Sequence, residues 1–105
     1  MKRCAFKMNL SSGNIAEYKR RHDNIPQELV AQLRQAGVRN YSIYYDPDTQ
    51  ILFAFQEQTP DNTASSLPLT EAVKKWWAYM NDGIMEYNDK GQPVSVELEE
   101  VFHMD

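Results

Sequence analysis

Two groups able to handle protons stand four residues apart in the run Glu17-Tyr18-Lys19-Arg20-Arg21-His22. Neutral imidazole accepts a proton near pH 7 and its cation returns it, while a phenol donates a hydrogen bond to an oxygen. On a helix that spacing puts both side chains on one face, about one turn apart. The face continues through Ile15, Tyr18, His22, Ile25, Leu29, Leu33 and Ala36, so the pair sits in an apolar stripe that should face the core. Packing alone would ask for Leu there. The plain alternative is a core Tyr and His that merely satisfy their hydrogen bonds, the commoner fate of a lone His. A Tyr paired with it shifts the balance towards chemistry.

The second notable run is Lys75-Trp76-Trp77-Ala78-Tyr79-Met80. Adjacent helical residues point about 100° apart, so at most one of Trp76 and Trp77 can be central in a core while the other turns to a cleft or interface. A ligand platform and ordinary packing weigh about equally here. Tyr41, Tyr44 and Tyr45 share one strand pattern and by themselves fit β propensity. There is no Gly-rich phosphate loop, no His/Cys cluster at metal spacing and no nucleophile motif in a convincing context. His103 stands near the chain end and reads as a surface or interface residue. A site without metal or cofactor, working by proton transfer, is what remains.

These groups need elements to hold them. Arg3 to Asn9 alternates, with Cys4, Phe6 and Met8 on one face, and Ser11-Ser12-Gly13-Asn14 then supplies turn and N-cap residues. The helical stripe that follows runs to Ala36 and stops at Gly37, a natural residue for the left-handed position after a helix. Pro26 interrupts it. Proline lacks the N–H donor and biases Ile25 away from helical angles, so Asp23-Asn24-Ile25-Pro26 marks a kink or a restart. Asn40–Asp46 and Ile51–Glu57 alternate as two strands joined by the turn Asp46-Pro47-Asp48-Thr49. A helix is expected over Thr70–Asn81 with Val73, Trp76, Trp77 and Met80 on its apolar face. Glu86 to Pro93 reads as a polar loop, and Val94–Met104 as a last strand with a bulge near Glu99-Glu100.

The order strand, helix, strand, strand, helix, strand predicts an α+β domain of the ferredoxin-like, split βαβ (βαββαβ) kind with an antiparallel sheet. With 105 residues and no linker or repeat, a single domain over 1-105 is expected. Helices on one side leave the other sheet face bare: Ile51, Phe53 and Phe55 lie on one side of their strand, Leu52 and Ala54 on the other. A two-fold homodimer that buries the bare face is the economical solution.

Composition removes several classes. The chain is 42% hydrophobic, 25% charged and 11% aromatic, an ordinary balance whose aromatic share suits a lined cavity or interface. A net charge of -4 argues against nucleic acid and anionic membrane as partners, which leaves Lys19-Arg20-Arg21 as the solvated side of the first helix. The one cysteine, Cys4, can form no internal disulfide and reads as a small packing residue. No apolar run approaches the ~18 residues of a membrane span, and Met1-Lys2-Arg3 is followed by no signal-peptide core, so a cytoplasmic protein is expected.

Several segments together carry a resemblance. Arg3-Cys4-Ala5-Phe6-Lys7-Met8, Glu17 to His22, Asn40-Tyr41-Ser42-Ile43-Tyr44, Leu52-Phe53-Ala54, Trp76-Trp77-Ala78-Tyr79-Met80 and Glu97 to Phe102 resemble the L-rhamnose mutarotase family over nearly the whole chain. Tyr-x-x-x-His followed by Trp-Trp-x-Tyr-Met is specific as a combination. The resemblance implies a ferredoxin-like homodimer, an assembly of the dimeric α/β-barrel type. It also implies interconversion of the α and β anomers of L-rhamnose, or a closely related 6-deoxy sugar, without metal or cofactor. It further implies that His22 is the acid/base and that Tyr18, Tyr41, Trp76 and Trp77 contact the sugar. One departure stands out: relatives usually carry Trp-Pro-Glu shortly after the histidine, whereas here Ile25-Pro26-Gln27-Glu28 has no aromatic, and neither does Asp61–Leu67.

Mutarotation needs one proton taken from the anomeric hydroxyl and one given to the ring oxygen, both reversing on closure. His22 is expected to carry one transfer, with Tyr18 or a bound water assisting the other. Two alternatives share the fold: a cofactor-independent monooxygenase acting on a large apolar substrate, and a small-molecule binding module in which Tyr18 and His22 are structural.

Overall fold

The inward and outward faces of one sheet decide the architecture. In the computed structural model, which describes residues 1–105, the order is β1 (Lys2–Asn9), α1 (Ile15–Asp23), α2 (Gln27–Gln35), β2 (Val38–Asp46), β3 (Ile51–Gln58), α3 (Glu71–Met80) and β4 (Ser95–Leu98), with a 3₁₀ turn over Ala64–Leu69. All strand pairs are antiparallel and the sheet order is β2-β3-β1-β4. Met8 and Tyr45 both lie opposite Leu52, and Phe6 and Ile43 opposite Ala54, so these residues share a face. That face packs on the helices: Met8, Leu52 and Ala54 join Tyr18 of α1 and Met80 of α3 in one buried cluster with Leu10, Ile84 and Met85. The α+β class and the antiparallel sheet expected above are therefore observed.

The long helical stripe resolves into two helices. Pro26 is extended, at φ -61° and ψ 136°, and α2 restarts on its carbonyl, which accepts from Leu29 and Val30 N–H at 3.1 and 3.2 Å. Ahead of it the Asn24 N–H closes α1 onto the Arg20 and Arg21 carbonyls, and Ile25 N–H reaches His22 O at 3.2 Å. The proline thus ends one helix and seeds the next.

Strand β2 carries a bulge with a consequence for the inward face. Its register against β3 shifts between Arg39 and Ser42, with Asn40 in the left-handed region at φ 48°. One extra residue reverses the side-chain alternation, so Val38 before it and Tyr41, Ile43 and Tyr45 after it all turn inward.

The expected last strand is shorter than its pattern. Pairing stops at Leu98 and the residues to Asp105 leave the sheet. Glu100 is taken by the Arg3 guanidinium at 2.8 Å, and Val101, Phe102 and Met104 beyond it are exposed. On the outward sheet face Tyr44, Phe53, Val96 and Leu98 are exposed as well.

Gly37 is the corner that joins α2 to the rest. At φ 94° its N–H bonds Arg34 O and its carbonyl accepts from Thr59 N–H at 2.9 Å. An added Cβ would run into Thr59 Oγ1 and come within 2.8 Å of Asn62 Cβ. Gly37→Ala is therefore expected to destabilise the fold by at least ~1–2 kcal/mol, the cost of the left-handed backbone before any clash. Denaturant unfolding of the variant measures it.

Candidate active site

Between the sheet and the helices lies a cavity of about 1000 Å³, and Tyr18, His22, Tyr41, Trp76 and Trp77 all line it. Residues separated by up to 59 positions are thus brought to one space, most of whose wall is hydrophobic. Ile25 and Leu67, from the two segments that lack an aromatic, line it too. No group of three His, Cys, Asp or Glu side chains converges as a metal site.

His22 is held by its own helix. Its Nδ1 is 2.9 Å from the Tyr18 carbonyl oxygen, which can only accept, so Nδ1 carries the proton and Nε2 keeps a free lone pair. The ring stacks on Tyr18 with centroids 4.2 Å apart and 29° between planes, and meets the Trp76 ring edge-on at 5.2 Å and 87°. Burial holds the imidazole below its usual 6.5, partly opposed by the Tyr18 carbonyl and by Asp23. At neutral pH it is a neutral base with a fixed tautomer.

The phenols move the other way. Burial drives Tyr18 well above its usual 10, with Tyr41 and Tyr87 adding to the effect, so it stays protonated. Tyr41, aimed inward by the β2 bulge and edge-on to Phe6 at 6.4 Å, keeps 40% of its surface exposed, and desolvation of its phenol pushes it up to about 12. Both are hydrogen-bonding groups over the working pH range, not acids.

The tryptophans stay within the expectation that at most one is central. Neither takes a central core place. In α3, whose first turn is capped by Thr70 Oγ1 accepting from Val73 N–H at 3.4 Å, Val73 and Met80 fill the core. Both tryptophans are half-buried and border the cavity, Trp76 lying 5.8 Å from Tyr79.

Arg21 was expected on the solvated side of α1 with Lys19 and Arg20. Those two are exposed, but the Arg21 side chain is only 10% exposed. It bonds Asp82 at 2.7 Å and Glu17 at 2.7 Å, and its guanidinium lies 5.0 Å from the Tyr79 ring centre. The Glu17 partner at i−4 was visible in the sequence; Asp82 was not. The clamp ties α1 to the turn after α3, where both neighbours of the cavity meet. Tyr87 is a cavity residue that the sequence reading passed over, although an aromatic inside the polar run Glu86–Pro93 was the available signal.

Fold and site define a class: a small α+β protein whose aromatic-walled cavity presents one neutral base and several phenols. The family model for L-rhamnose mutarotase matches residues 3–104. The L-rhamnose mutarotase of Bacteroides thetaiotaomicron is 54% identical over 105 residues, covering 100% of both chains, and that of Jannaschia sp. is 47% identical over 104 residues, covering 99% of each. The crystal structure of L-rhamnose mutarotase from Formosa agariphila matches with a TM-score of 0.91 and 47% identity, over 100% of both chains. This chain belongs to the L-rhamnose mutarotase family.

The geometry at His22 carries a pH consequence. Because burial disfavours the imidazolium, an NMR titration of His22 is expected to give a midpoint below 6.5, with the neutral Nδ1–H form present at pH 7. A midpoint above 6.5 would contradict the desolvated geometry.

Proposed function

We propose that this protein interconverts the α and β anomers of L-rhamnose by acid/base ring opening and closure, with no metal or cofactor. The observation that carries the reading is the free Nε2 of His22, fixed in tautomer and orientation inside an aromatic cavity. Membership of the mutarotase family along the whole chain supports it and weighs against the monooxygenase and binding-module alternatives.

In this mechanism Nε2 takes the proton of the anomeric hydroxyl as the bond between the anomeric carbon and the ring oxygen breaks. The electrons of that bond go to the ring oxygen, which gains a proton, and the open-chain aldehyde results. Rotation about the bond next to the carbonyl exposes its other face, and closure reverses both transfers. A phenol held far above its usual pKa is a poor acid, so Tyr18 supports the ring oxygen by donating a hydrogen bond while a bound water carries to that oxygen the proton that Nε2 has taken, leaving the imidazole neutral again. Trp76 and Trp77 offer flat apolar surface to the C–H face of the sugar, and Tyr41 a hydrogen bond to a hydroxyl. Ile25 in the wall suits the methyl group of a 6-deoxy sugar.

The same reading takes the chain as a single ferredoxin-like domain that works as a homodimer in the cytoplasm. The order β2-β3-β1-β4 is that of a split βαβ sheet, and the exposed Tyr44, Phe53, Val96 and Leu98 on its outward face form an apolar patch that a second copy would cover. Sedimentation at micromolar concentration should return twice the 12.2 kDa chain mass. A monomer that still exchanges anomers would refute the dimer.

The direct test is anomer exchange of L-rhamnose followed by saturation-transfer NMR. His22→Ala should slow exchange by ~10²–10⁴-fold, the usual worth of a positioned acid/base, in a protein that remains folded. Wild-type exchange in that variant would remove His22 from the mechanism, and no exchange by the parent protein would remove the reading itself.

A further inference from the structure

Tyr87 has a hydroxyl that nothing in the protein uses. Its oxygen is buried and has no hydrogen-bond partner, the only side-chain oxygen or nitrogen in the chain so placed. Such an atom is costly to leave unpaired, and with no partner in the protein it calls for one from outside: a water, an ion or a ligand. The residue lines the same cavity as His22, and its ring packs against the core cluster that contains Tyr18.

The backbone around it is well anchored. Tyr87 pairs with Pro93 as an isolated antiparallel bridge, Leu10 pairs with Met85, Glu86 N–H donates to Asn9 O at 3.1 Å, and Val94 N–H donates to Glu86 O at 3.0 Å. The turn beyond is closed by Asn88 Oδ1, which accepts from Lys90 and Gln92 N–H at 2.9 and 3.0 Å. Main-chain partners are therefore satisfied while the side-chain oxygen is not. The half-buried ring sits on this loop between α3 and β4 and forms part of the cavity wall. A sugar is rich in hydroxyl groups that accept and donate, which is the chemistry an orphaned phenol needs.

We infer that Tyr87 is a sugar-positioning residue whose hydroxyl hydrogen-bonds a hydroxyl group of the bound pyranose, giving the cavity a polar contact besides Tyr18 and Tyr41. The inference rests on the anomer-exchange reading. Burial also pushes the Tyr87 phenol up to about 12, so it remains a donor throughout the pH range of the reaction. It lies off the Tyr18–His22 stack and holds the substrate without moving its protons.

Tyr87→Phe removes one oxygen and keeps the ring. Expected is a rise in KM for L-rhamnose of roughly 3- to 10-fold, the worth of one hydrogen bond, with kcat within about twofold of the parent. Without sugar the variant should melt no lower than the parent, since the oxygen it loses was unpaired. Analogues of L-rhamnose that each lack one hydroxyl identify the partner: one of them should bind parent and variant equally, measured by NMR titration. An unchanged KM overturns the inference, and so does a penalty equal for every analogue, which reports a distorted cavity and not a lost bond. If the parent protein itself neither binds nor exchanges L-rhamnose, the inference falls together with the function it rests on; if the parent is active and the variant matches it, the inference falls alone.

Discussion

The hydrogen bond from His22 Nδ1–H to the Tyr18 carbonyl is the interaction on which the rest of the site depends. It spans one helical turn, at 2.9 Å, and does three things. The tautomer is fixed, the ring is drawn flat against Tyr18, and Nε2 is turned away from the helix backbone. A histidine bonded to its own helix cannot rotate to another partner without losing that bond, so its orientation is set before any ligand arrives. Trp76, meeting the imidazole edge-on from α3, closes the remaining freedom. For the bond to serve a site, however, the helix must stop soon after it. The break at Asn24 to Pro26 does this, ending α1 one residue after His22, while α2 beyond it lines the same cavity through Leu29 and Leu33.

Keeping that space open works against burial. Only 14 of 105 residues are buried, so much of the apolar surface that would ordinarily close over a small core stays in the wall of the cavity instead. The helices are held apart by large aromatic rings, and α1 is fastened at its rim by a charged clamp. Arg21 is bonded to Glu17 within its helix and to Asp82 beyond α3, and Glu17, at about 2, stays ionised under the two arginines that flank it. That clamp holds α1 and the end of α3 at a set separation without filling the interior.

Much of this was legible in the residues. Period-two alternation found β1, β2 and β3, Gly37 marked the end of the helical stripe, and the Tyr18–His22 spacing pointed to a shared face because helix geometry makes four residues one turn. What was not legible depends on partners distant in sequence. Asp82 turns Arg21 from a solvated cation into a clamp, and no local pattern announces a residue 61 positions away. Alternation sets Tyr41, Ile43 and Tyr45 on one face, but that this face is the inward one, shared with Val38 across a bulge, is a property of the pairing with β3. The last strand ended early for a similar reason: alternation through Met104 describes a strand that needs a neighbour, and beyond Leu98 β1 offers a guanidinium in place of further ladder bonds.

Burial acts in opposite senses on the two kinds of titratable group in the cavity, and the result suits one type of chemistry. The same desolvation that lowers the proton affinity of His22 raises that of Tyr18, Tyr41 and Tyr87, because in each case it is the charged form that loses water. Near neutral pH every one of these groups is therefore uncharged. The ion pairs that Arg21 makes to Glu17 and Asp82 lie outside the cavity wall. Lys19, Asp23, Arg34 and Arg39 border the cavity, while the part around His22, Tyr18 and Trp76 offers hydrogen bonds and flat apolar surface without charge. That part fits a neutral, hydroxyl-rich molecule, and a reaction that moves protons between oxygens of that molecule and returns them leaves no net charge behind. The base needs to be only strong enough to share a proton with a hydroxyl while the ring opens, and an imidazole with a weakened hold on its proton releases it again on closure.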